Sequence, residues 1–265
     1  MLGLFAERNK TLRWFRAVIL AVVMLHGLPA VAQEAAPPGT AGAVIDYMEN
    51  LMRGQASEGE LEMYIKRWDR TIRMRFWELY PDKSLVRLVA PAEDAGVGSL
   101  KLGKDLWSYN PKVDQVQKIP PSLMLDSWMG SDFTNDDISR SSSIKLDYDV
   151  GEAISGKVGD VKTWRVALKP KPSSPVVWEK IVVEVAQEDK RPLRQEYYDE
   201  KGKIARVMIF SDYKKLSDGR NYPYLWKMEN HQEPGRYTEV RVKKMEFLES
   251  LPEKTFSIRN LKRGR

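Results

Sequence analysis

Most of the chain alternates apolar and polar residues with a period of two, as strands do when one face is buried and the other is wet. The pattern is clear over residues 61–66 and 72–77. It returns over residues 164–168, 181–185 and 238–242. Turn-forming segments rich in Pro, Gly, Asn and Asp separate these runs. We therefore predict about ten or eleven antiparallel strands joined as hairpins.

Few helices accompany these strands. Apolar residues recur at helical spacing from Val44 to Met52, and Gly54 ends the run. A short apolar segment, Ser122 to Met129, interrupts the strand pattern in the middle of the chain. Thr134 then stands three residues before Asp137, which is the spacing of a helix N-cap with an acid in the first turn.

An antiparallel sheet of this length must curl or close. Because few helices are available to cover its apolar face, we predict a mainly β (α+β) fold. It would be a strongly curved antiparallel sheet that forms an incomplete half-barrel, with short helices on its concave side. An outer-membrane barrel is the alternative, but it needs a continuous outward apolar band about 25 Å tall. One face of most strands carries Lys, Arg or Glu, which favours the half-barrel.

The N-terminal residues predict export. A basic stretch that includes Arg8 and Arg16 leads into an apolar stretch from Ala17 to Leu28, and Ala30-Val31-Ala32 offers small residues for cleavage. The apolar stretch is shorter than the roughly 20 residues of a membrane-spanning helix. We predict a signal peptide that is cleaved after Ala32, and a periplasmic mature protein.

The rest of the chain is expected to form one domain. Residues 33–43 are rich in Ala, Pro and Gly, which predicts a flexible leader. No change in composition marks a boundary beyond it, so residues 44–265 are predicted to be a single domain. Loss of residues 1–32, with four basic residues and one acid, lowers the formal net charge from +6 to about +3. The remaining charges alternate in sign, which does not favour a nucleic-acid partner.

The composition limits the possible chemistry. The chain has no cysteine, and His231 is the single histidine after residue 32. Thiolate nucleophiles, disulfides, a lipid anchor on this chain and zinc sites with two histidines are therefore excluded. No G-x-S-x-G motif presents a serine nucleophile. We predict no metal, no cofactor and no enzyme activity.

One group of carboxylates is a catalytic candidate. Asp132, Asp136 and Asp137 are close enough in sequence to form a pair of the kind that glycoside hydrolases use. Helix capping explains the same residues, because an acid in the first turn meets free N–H groups and the positive end of the helix dipole. The capping interpretation is favoured, and an envelope-glycan hydrolase is kept as a third hypothesis.

Methionine and tryptophan are frequent after residue 32, where seven of the eight tryptophans lie. Methionine fills irregular space and accepts varied apolar partners. A packed core with tryptophan at its rim and an apolar cavity for acyl chains both agree with this composition.

Two motifs help to decide between a packed core and an acyl-chain cavity. Trp107 to Pro111 reads W-x-Y-x-P, and Met129 to Phe133 reads M-G-S-D-F. Their order and spacing, with Glu196 to Lys203 and Phe256 later in the chain, resemble the LolA-like family of outer-membrane lipoprotein-sorting proteins. The resemblance covers nearly the whole chain after residue 32. It is strongest to a branch of uncharacterised periplasmic members that carry both motifs.

The resemblance implies an unclosed barrel with a helical lid, and a cavity that holds acyl chains. We therefore expect a non-catalytic periplasmic carrier that binds the acyl chains of a lipoprotein or lipid and moves them from the inner membrane toward the outer membrane. The implied partners are an inner-membrane transporter of the ABC or RND type and, at most, peripheral membrane contact, with the protein a monomer. The alternative is a periplasmic sensor that binds lipid or protein ligands in the same half-barrel and signals to a membrane partner.

Alternation and the resemblance together give candidate residues for the cavity and its lid. We predict that these are Met63, Ile65, Met74, Phe76, Trp107, Tyr109, Leu123, Met124, Trp128 and Met129. The lid candidate is the segment Leu123 to Leu125 with Trp128 and Met129, although the same segment could plug the half-barrel permanently. A cavity arginine is implied by the family, and five residues compete for that position: Arg67, Arg70, Arg73, Arg75 and Arg87.

Overall fold

The computed structural model describes residues 36–37, 39–139, 144–172, 174 and 176–263. They belong to one compact unit, Gln33–Arg265. The predicted signal peptide and its cleavage site lie outside the described residues, as do the first three residues of the predicted leader.

The described residues form thirteen strands, more than the ten or eleven predicted, because three short strands follow one another in residues 98–118. Four to six residues leave little alternation to detect. The strands are β1 (Ala56–Ile65), β2 (Arg70–Leu79), β3 (Lys83–Ala90), β4 (Gly98–Leu102), β5 (Asp105–Asn110), β6 (Gln115–Lys118), β7 (Tyr148–Val158), β8 (Val161–Pro170), β9 (Lys180–Ala186), β10 (Pro192–Tyr198), β11 (Ile204–Lys215), β12 (Asn221–Asn230) and β13 (Tyr237–Leu248).

Four α-helices lie in the described part of the chain. They are α1 (Thr40–Met52), α2 (Asn135–Ser139), α3 (Ile144–Asp147) and α4 (Ile258–Lys262). Helix α1 begins at Thr40, so residues 40–43 are helical and differ from the flexible leader that the sequence predicts. Ala41 packs on the core there. None of these helices has the length and apolar character needed to cross a bilayer.

All thirteen strands belong to one antiparallel sheet, in the order β6-β5-β4-β3-β2-β1-β13-β12-β11-β10-β9-β8-β7. Strands that follow one another in the chain pair with each other, except β6 and β7, and β1 also pairs with β13. Strands β6 and β7 are the two edges and do not pair with each other, so the sheet is curved and open. The predicted mainly β fold with an incomplete antiparallel barrel is confirmed.

The chain passes from one edge of the sheet to the other through residues 119–147, which we call the crossing segment. Its described residues contain α2, α3 and two short 3-10 turns, Pro121–Leu123 and Trp128–Gly130. Side chains from the crossing segment and from α1 pack with the inner face of the sheet in the main hydrophobic core.

The inner face follows the predicted alternation. Leu61 pairs with Met74, and Met63 pairs with Ile72, so these side chains point to the same side of β1 and β2. Met63, Met74 and Ile72 are at most 2% exposed. Because side chains alternate strictly along a strand, this register also directs Glu78, four residues after Met74, to the inner face.

A second core lies on the opposite face of the sheet. A row of apolar side chains crosses four strands, where Trp77 pairs with Leu85, Leu85 with Leu100 and Leu100 with Trp107. Helix α4 covers this row, and its Leu261 is fully buried there. One half of the sheet therefore buries both faces, which simple apolar-in, polar-out alternation does not predict.

We predict that Leu261→Ala lowers the free energy of unfolding by about 2–5 kcal/mol, because it leaves a cavity under α4. Leu146→Ala is the matched control, since Leu146 is 63% exposed and should change stability by less than about 0.5 kcal/mol. Denaturant unfolding followed by far-UV circular dichroism measures both. Equal effects of the two substitutions would contradict the role assigned to α4.

Candidate ligand-binding cavity

A cavity of about 340 Å³ lies between the inner face of the sheet, α1 and the crossing segment. Its wall is mostly apolar. Seven of the nine methionines among the described residues line it: Met48, Met52, Met63, Met74, Met208, Met228 and Met245. The aromatic part of the lining includes Phe76, Phe133, Trp178, Tyr197, Phe210, Tyr222 and Trp226.

The methionine lining is built by both halves of the sheet and by α1. Met208 on β11 lies directly opposite Met228 on β12, and Met63 on β1 lies opposite Val240 on β13. Unbranched thioether side chains change rotamer at low cost and fit irregular apolar shapes. The wall can therefore adapt to flexible apolar ligands more easily than a wall of branched side chains.

One end of the cavity is polar. Ser57, Glu78 and Ser84 lie side by side on β1, β2 and β3, and Arg53 after α1 also lines this end. Burial raises the pKa of the Glu78 carboxyl above its ordinary value. The charges of Arg53 and Lys101 and a hydrogen bond with Ser57 lower this pKa, but by less than burial raises it.

The opposite end of the cavity meets helix α2. Asp137 accepts a hydrogen bond from the Thr134 backbone N–H at 2.8 Å, and Thr134 Oγ1 accepts one from the Asp137 backbone N–H at 3.0 Å. This confirms the predicted N-cap. Asp137 also lies 3.5 Å from the guanidinium of Arg206, which in turn stands 5.2 Å from the centre of the Trp178 ring. The ion pair connects α2 to strand β11.

The M-G-S-D-F motif holds the first half of the crossing segment in place through contacts with other parts of the chain. Met129 and Gly130 have positive φ angles of 53° and 76°, and the Trp68 indole N–H donates to the Gly130 carbonyl at 3.1 Å. A Cβ atom on residue 130 would lie 2.8 Å from Trp68 Nε1, so glycine is required by both conformation and space.

Asp132 anchors the same motif to the sheet. Its carboxylate is buried and contacts three partners: Thr238 Oγ1 donates at 2.8 Å, Asn230 Nδ2 donates at 3.3 Å, and Arg236 Nε lies at 2.6 Å. We call the contacts of Trp68–Gly130 and of Asp132 with Arg236, Thr238 and Asn230 the latch. Because Asp132 holds the latch and Asp137 caps α2, their contacts support a structural role and not a catalytic pair.

The structure brings together some of the residues predicted to form the site. Met63, Met74 and Phe76 line the cavity. Ile65 and Trp128 are buried in the surrounding core, where the Trp128 indole N–H donates to Ser99 Oγ at 3.1 Å, and half-buried Met129 packs against the same core.

Four other candidates lie elsewhere. Trp107 and Tyr109 are in the second core, on the outer face of the sheet, because β5 turns Ser108 and not its aromatic neighbours to the inner face. Leu123 is 42% exposed, and Met124 is half-buried but outside the cavity wall. The prediction that these residues line the cavity is therefore corrected.

The part of the crossing segment that lines the cavity comes after the predicted lid. Phe133, Asp137, Ile138 and Ile144 form this part of the wall. The apolar character of Leu123–Leu125 predicts a lid, but Leu125 is 51% exposed.

Two arginines near the cavity were missed by sequence analysis. Arg53 lines the polar end, and Arg206 stands beside Asp137 and Trp178 at the other end. None of the five arginines proposed for the cavity lines it. Arg206 was detectable, because it precedes the inward-facing Met208 by two residues on β11.

Comparison with known proteins agrees with this architecture. A family model described as "Uncharacterized protein" matches residues 81–263. The chain belongs to this family, the DUF1329-like proteins. A solved DUF1329 family protein from Desulfovibrio piger is 24% identical, with a TM-score of 0.75 over 85% of this chain and 100% of that one.

Two further solved structures share the fold. A LolA superfamily protein from Nitrosomonas europaea is 20% identical, with a TM-score of 0.71 over 83% of this chain and 98% of that one. A domain provisionally assigned as an outer membrane lipoprotein-sorting protein, from Vibrio parahaemolyticus, is 24% identical, with a TM-score of 0.73 over 84% and 98% of the two chains. No curated protein matches the chain. The likeness of this DUF1329-like chain to the LolA superfamily is thus one of fold, and it confirms the resemblance inferred from the sequence.

We predict that Asp132→Asn lowers the free energy of unfolding by about 3 kcal/mol, because it leaves the largely buried guanidinium of Arg236 without its carboxylate. Asp126→Asn is the control, since Asp126 is an exposed acid in the same crossing segment. Urea unfolding measures the difference. An unchanged midpoint for Asp132→Asn would show that the latch does not stabilise the fold.

We predict that Glu78→Gln gains stability relative to the parent protein as pH rises. The folded state keeps the Glu78 proton above the ordinary pKa of 4.5, so it binds more protons than the unfolded state in that range and loses stability as pH rises toward the raised pKa. Glutamine removes this loss. Unfolding measured from about pH 4 to about pH 8 should show the growing difference.

The control for this pH series is Glu60→Gln, because the Glu60 side chain is 54% exposed. A stability difference between Glu78→Gln and the parent that stays constant or shrinks with rising pH would contradict the assigned burial effect.

Proposed function

We propose that the protein is a non-catalytic periplasmic carrier that binds the acyl chains of a lipoprotein or lipid in its cavity and conveys them from the inner membrane toward the outer membrane. The observation that carries this proposal is the cavity wall, which combines seven methionines with aromatic side chains around a space of about 340 Å³. The volume lies at the lower end of the roughly 300–1,000 Å³ of small-molecule sites.

The task of carrying an acyl chain through water explains why the cavity wall is apolar and adaptable. Exposing an acyl chain to water costs about 0.8 kcal/mol for each CH₂ group. A carrier in water must hide this surface, and must also release it at its destination. An adaptable apolar wall serves the first need, and a movable cover over the cavity serves the second.

The second half of the crossing segment is the proposed cover. The latch fixes the first half of the segment. Helices α2 and α3 are held by partly buried Ile138 and Ile144, which pack on the core, and by three polar contacts. These contacts are the Asp137–Arg206 pair, the Ile144 backbone N–H on Glu49 Oε1 at 2.5 Å, and Lys145 Nζ on Asp46 Oδ1 at 2.6 Å. Water replaces the exposed Lys145–Asp46 pair at low cost, because exposed ion pairs contribute little to stability. The Asp137–Arg206 pair is mostly buried, so it is the main polar contact that opening would have to break. Rotation of α2 and α3 about the latch would open the cavity.

The sequence and the shared fold support the proposed transport route and the proposed partners. The predicted signal peptide and the absence of cysteine support a protein that is exported and carries no lipid anchor of its own. The fold shared with a domain provisionally assigned to lipoprotein sorting supports a lipoprotein cargo. We propose an inner-membrane transporter of the ABC or RND type as donor. We propose that the carrier is a monomer with peripheral membrane contact only.

We predict that Met74→Trp abolishes binding of a fluorescent fatty acid, or weakens it by at least about tenfold, because the larger ring fills the cavity beside Met63 and Leu61. Leu123→Trp is the matched control, because Leu123 is exposed and lies outside the wall. Fluorescence titration measures affinity, and circular dichroism checks that both variants fold. Equal binding by Met74→Trp and the parent would place the ligand elsewhere.

The cargo is tested by gentle purification from the periplasm and mass spectrometry of the organic extract. Stoichiometric acyl species support the carrier. A clean extract together with no uptake of fluorescent fatty acid would refute it. A stable complex with a membrane protein but no cargo would favour the sensor hypothesis instead.

A further inference from the structure

Three exposed apolar side chains lie along one edge of the sheet. Trp68 in the β1–β2 turn is 56% exposed, Val89 near the end of β3 is 45% exposed, and Val113 in the β5–β6 turn is 57% exposed. The register brings these positions to the same edge, because β2 starts beside the end of β3 and β4 starts beside the end of β5. A single exposed apolar side chain is common, but three in neighbouring loops indicate a contact surface.

Positive charge is concentrated at the same edge. Its loops and strand ends, with the adjoining end of α4, cover residues 62–73, 87–98, 109–115 and 259–263, and we call this surface the basic rim. The rim contains nine basic and five acidic residues. This excess is larger than the net charge of about +3 that the whole chain has after residue 32, so the other residues together carry no net positive charge.

Helix α4 joins the rim through β3 and through the β5–β6 turn. The Arg87 guanidinium donates to the Asn260 carbonyl, which also accepts from the Arg263 backbone N–H at 3.0 Å. Lys262 Nζ lies 3.1 Å from Asp114 in the β5–β6 turn. The basic end of α4 therefore belongs to the same surface.

Most cations of the rim have no acid partner. Among the described residues, carboxylates form ion pairs with only two of the nine, Arg70 and Lys262. Arg87 is in the least favourable position, because Arg75 lies directly opposite it on β2 and like charges in such a pair repel. Burial, and then the charge of Arg75, lowers the pKa of the Arg87 guanidinium. An anionic partner would relieve this repulsion.

The combination of unpaired cations and exposed apolar side chains favours a membrane over an acidic protein segment. Tryptophan is frequent at the headgroup level of bilayers, and basic residues are attracted to anionic lipids. Apolar side chains that enter the headgroup region add to this attraction. An acidic polypeptide would satisfy the cations but would leave Trp68, Val89 and Val113 in water.

The rim also lies on the side of the molecule where the proposed cover is held. The Trp68 indole N–H donates to Gly130 in the latch. Arg206, which pairs with Asp137 of α2, lies near the start of β11, and β11 starts at this same edge beside the end of β12. A surface that contacts the rim therefore lies on the same side as the α2 end of the cavity.

We infer that the basic rim is a docking surface for an anionic phospholipid membrane. Its apolar side chains enter the headgroup region, and its unpaired cations contact lipid phosphates. Docking brings the α2 end of the cavity to the bilayer, where an acyl chain enters or leaves. This inference rests on the proposed function and locates its membrane contact.

The test is sedimentation of the purified mature protein with vesicles, made of phosphatidylcholine mixed with phosphatidylglycerol or of phosphatidylcholine alone. The parent protein is expected to bind the mixed vesicles at least about tenfold more tightly than the neutral ones. Added salt should remove this preference, because it screens the attraction between exposed charges.

A triple variant tests the charges of the rim. Lys66→Gln, Arg73→Gln and Lys112→Gln together remove three exposed cations that have no acid partner among the described residues. Binding to the mixed vesicles should weaken at least about fiftyfold, because each basic residue near an anionic membrane contributes about fivefold.

The matched control removes the same charge from the opposite edge of the sheet. Lys104→Gln, Lys162→Gln and Lys215→Gln together replace three exposed lysines, in the β4–β5 turn, at the start of β8 and at the end of β11. Binding to the mixed vesicles should weaken by less than about threefold, because these charges lie far from the docked membrane.

The apolar contact is tested by Val113→Ser. This change should weaken binding to the mixed vesicles about threefold, because less apolar surface enters the headgroup region. Poly-glutamate, which offers negative charge without a bilayer, should bind the parent and Val113→Ser equally. If Val113→Ser leaves vesicle binding unchanged, or if poly-glutamate binds the parent while the mixed vesicles do not, the membrane-docking surface is refuted.

Uptake of a fluorescent fatty acid from solution separates this inference from the carrier function. Parent and both triple variants should take it up equally, because none of the six substituted residues lines the cavity. If the parent takes up no fatty acid, the carrier function fails. If uptake is normal but the two triple variants bind the mixed vesicles equally, the carrier stands and the docking surface is refuted. Thermal melting curves confirm that the variants are folded.

Discussion

The whole architecture depends on the pairing of β1 with β13. Every other strand contact joins neighbours in the chain, so without this one ladder the sheet would be two separate meanders, β1 to β6 and β7 to β13. The ladder is also the most distant in sequence, and Ile65 lies beside Thr238. Because long loops must close before such contacts form, we expect this pairing to limit the folding rate. The cavity exists only when both meanders face it.

The open sheet has two consequences for the rest of the chain. The edges β6 and β7 do not meet, so the crossing segment must run from one edge to the other, and it does so across the inner face. The latch then determines which part of that segment is fixed. Positive φ angles at Met129 and Gly130 and a buried carboxylate at Asp132 are unfavourable by themselves, and they persist because Trp68, Thr238 and Arg236 compensate them.

Sequence analysis predicted the sheet and three residues of the cavity wall, because period-two alternation is reliable where one face is buried and the other is wet. It placed Met63, Met74 and Phe76 correctly on the inner face. It misplaced Trp107 and Tyr109 because β5 is covered on its outer face by α4, a helix of five residues that is too short to show helical periodicity. Leu123 was misplaced because a short apolar run does not reveal whether it faces the core or water. The sequence does not predict that Arg53 lines the cavity, because this residue lies just after a helix. There the period-two pattern of strands does not show which way a side chain points.

The abundance of thioethers in the cavity wall has a chemical consequence. Methionine is oxidised to its sulfoxide, which replaces a flexible apolar side chain with a polar, chiral one. Seven such side chains surround a single small space, so oxidants that reach it would turn a lipid-like wall into a hydrated one. The same softness that lets the wall follow a flexible chain makes it depend on enzymes that reduce methionine sulfoxide. Because Met63, Met74 and Met228 also belong to the main hydrophobic core, oxidative damage at these residues would weaken ligand binding and the fold together.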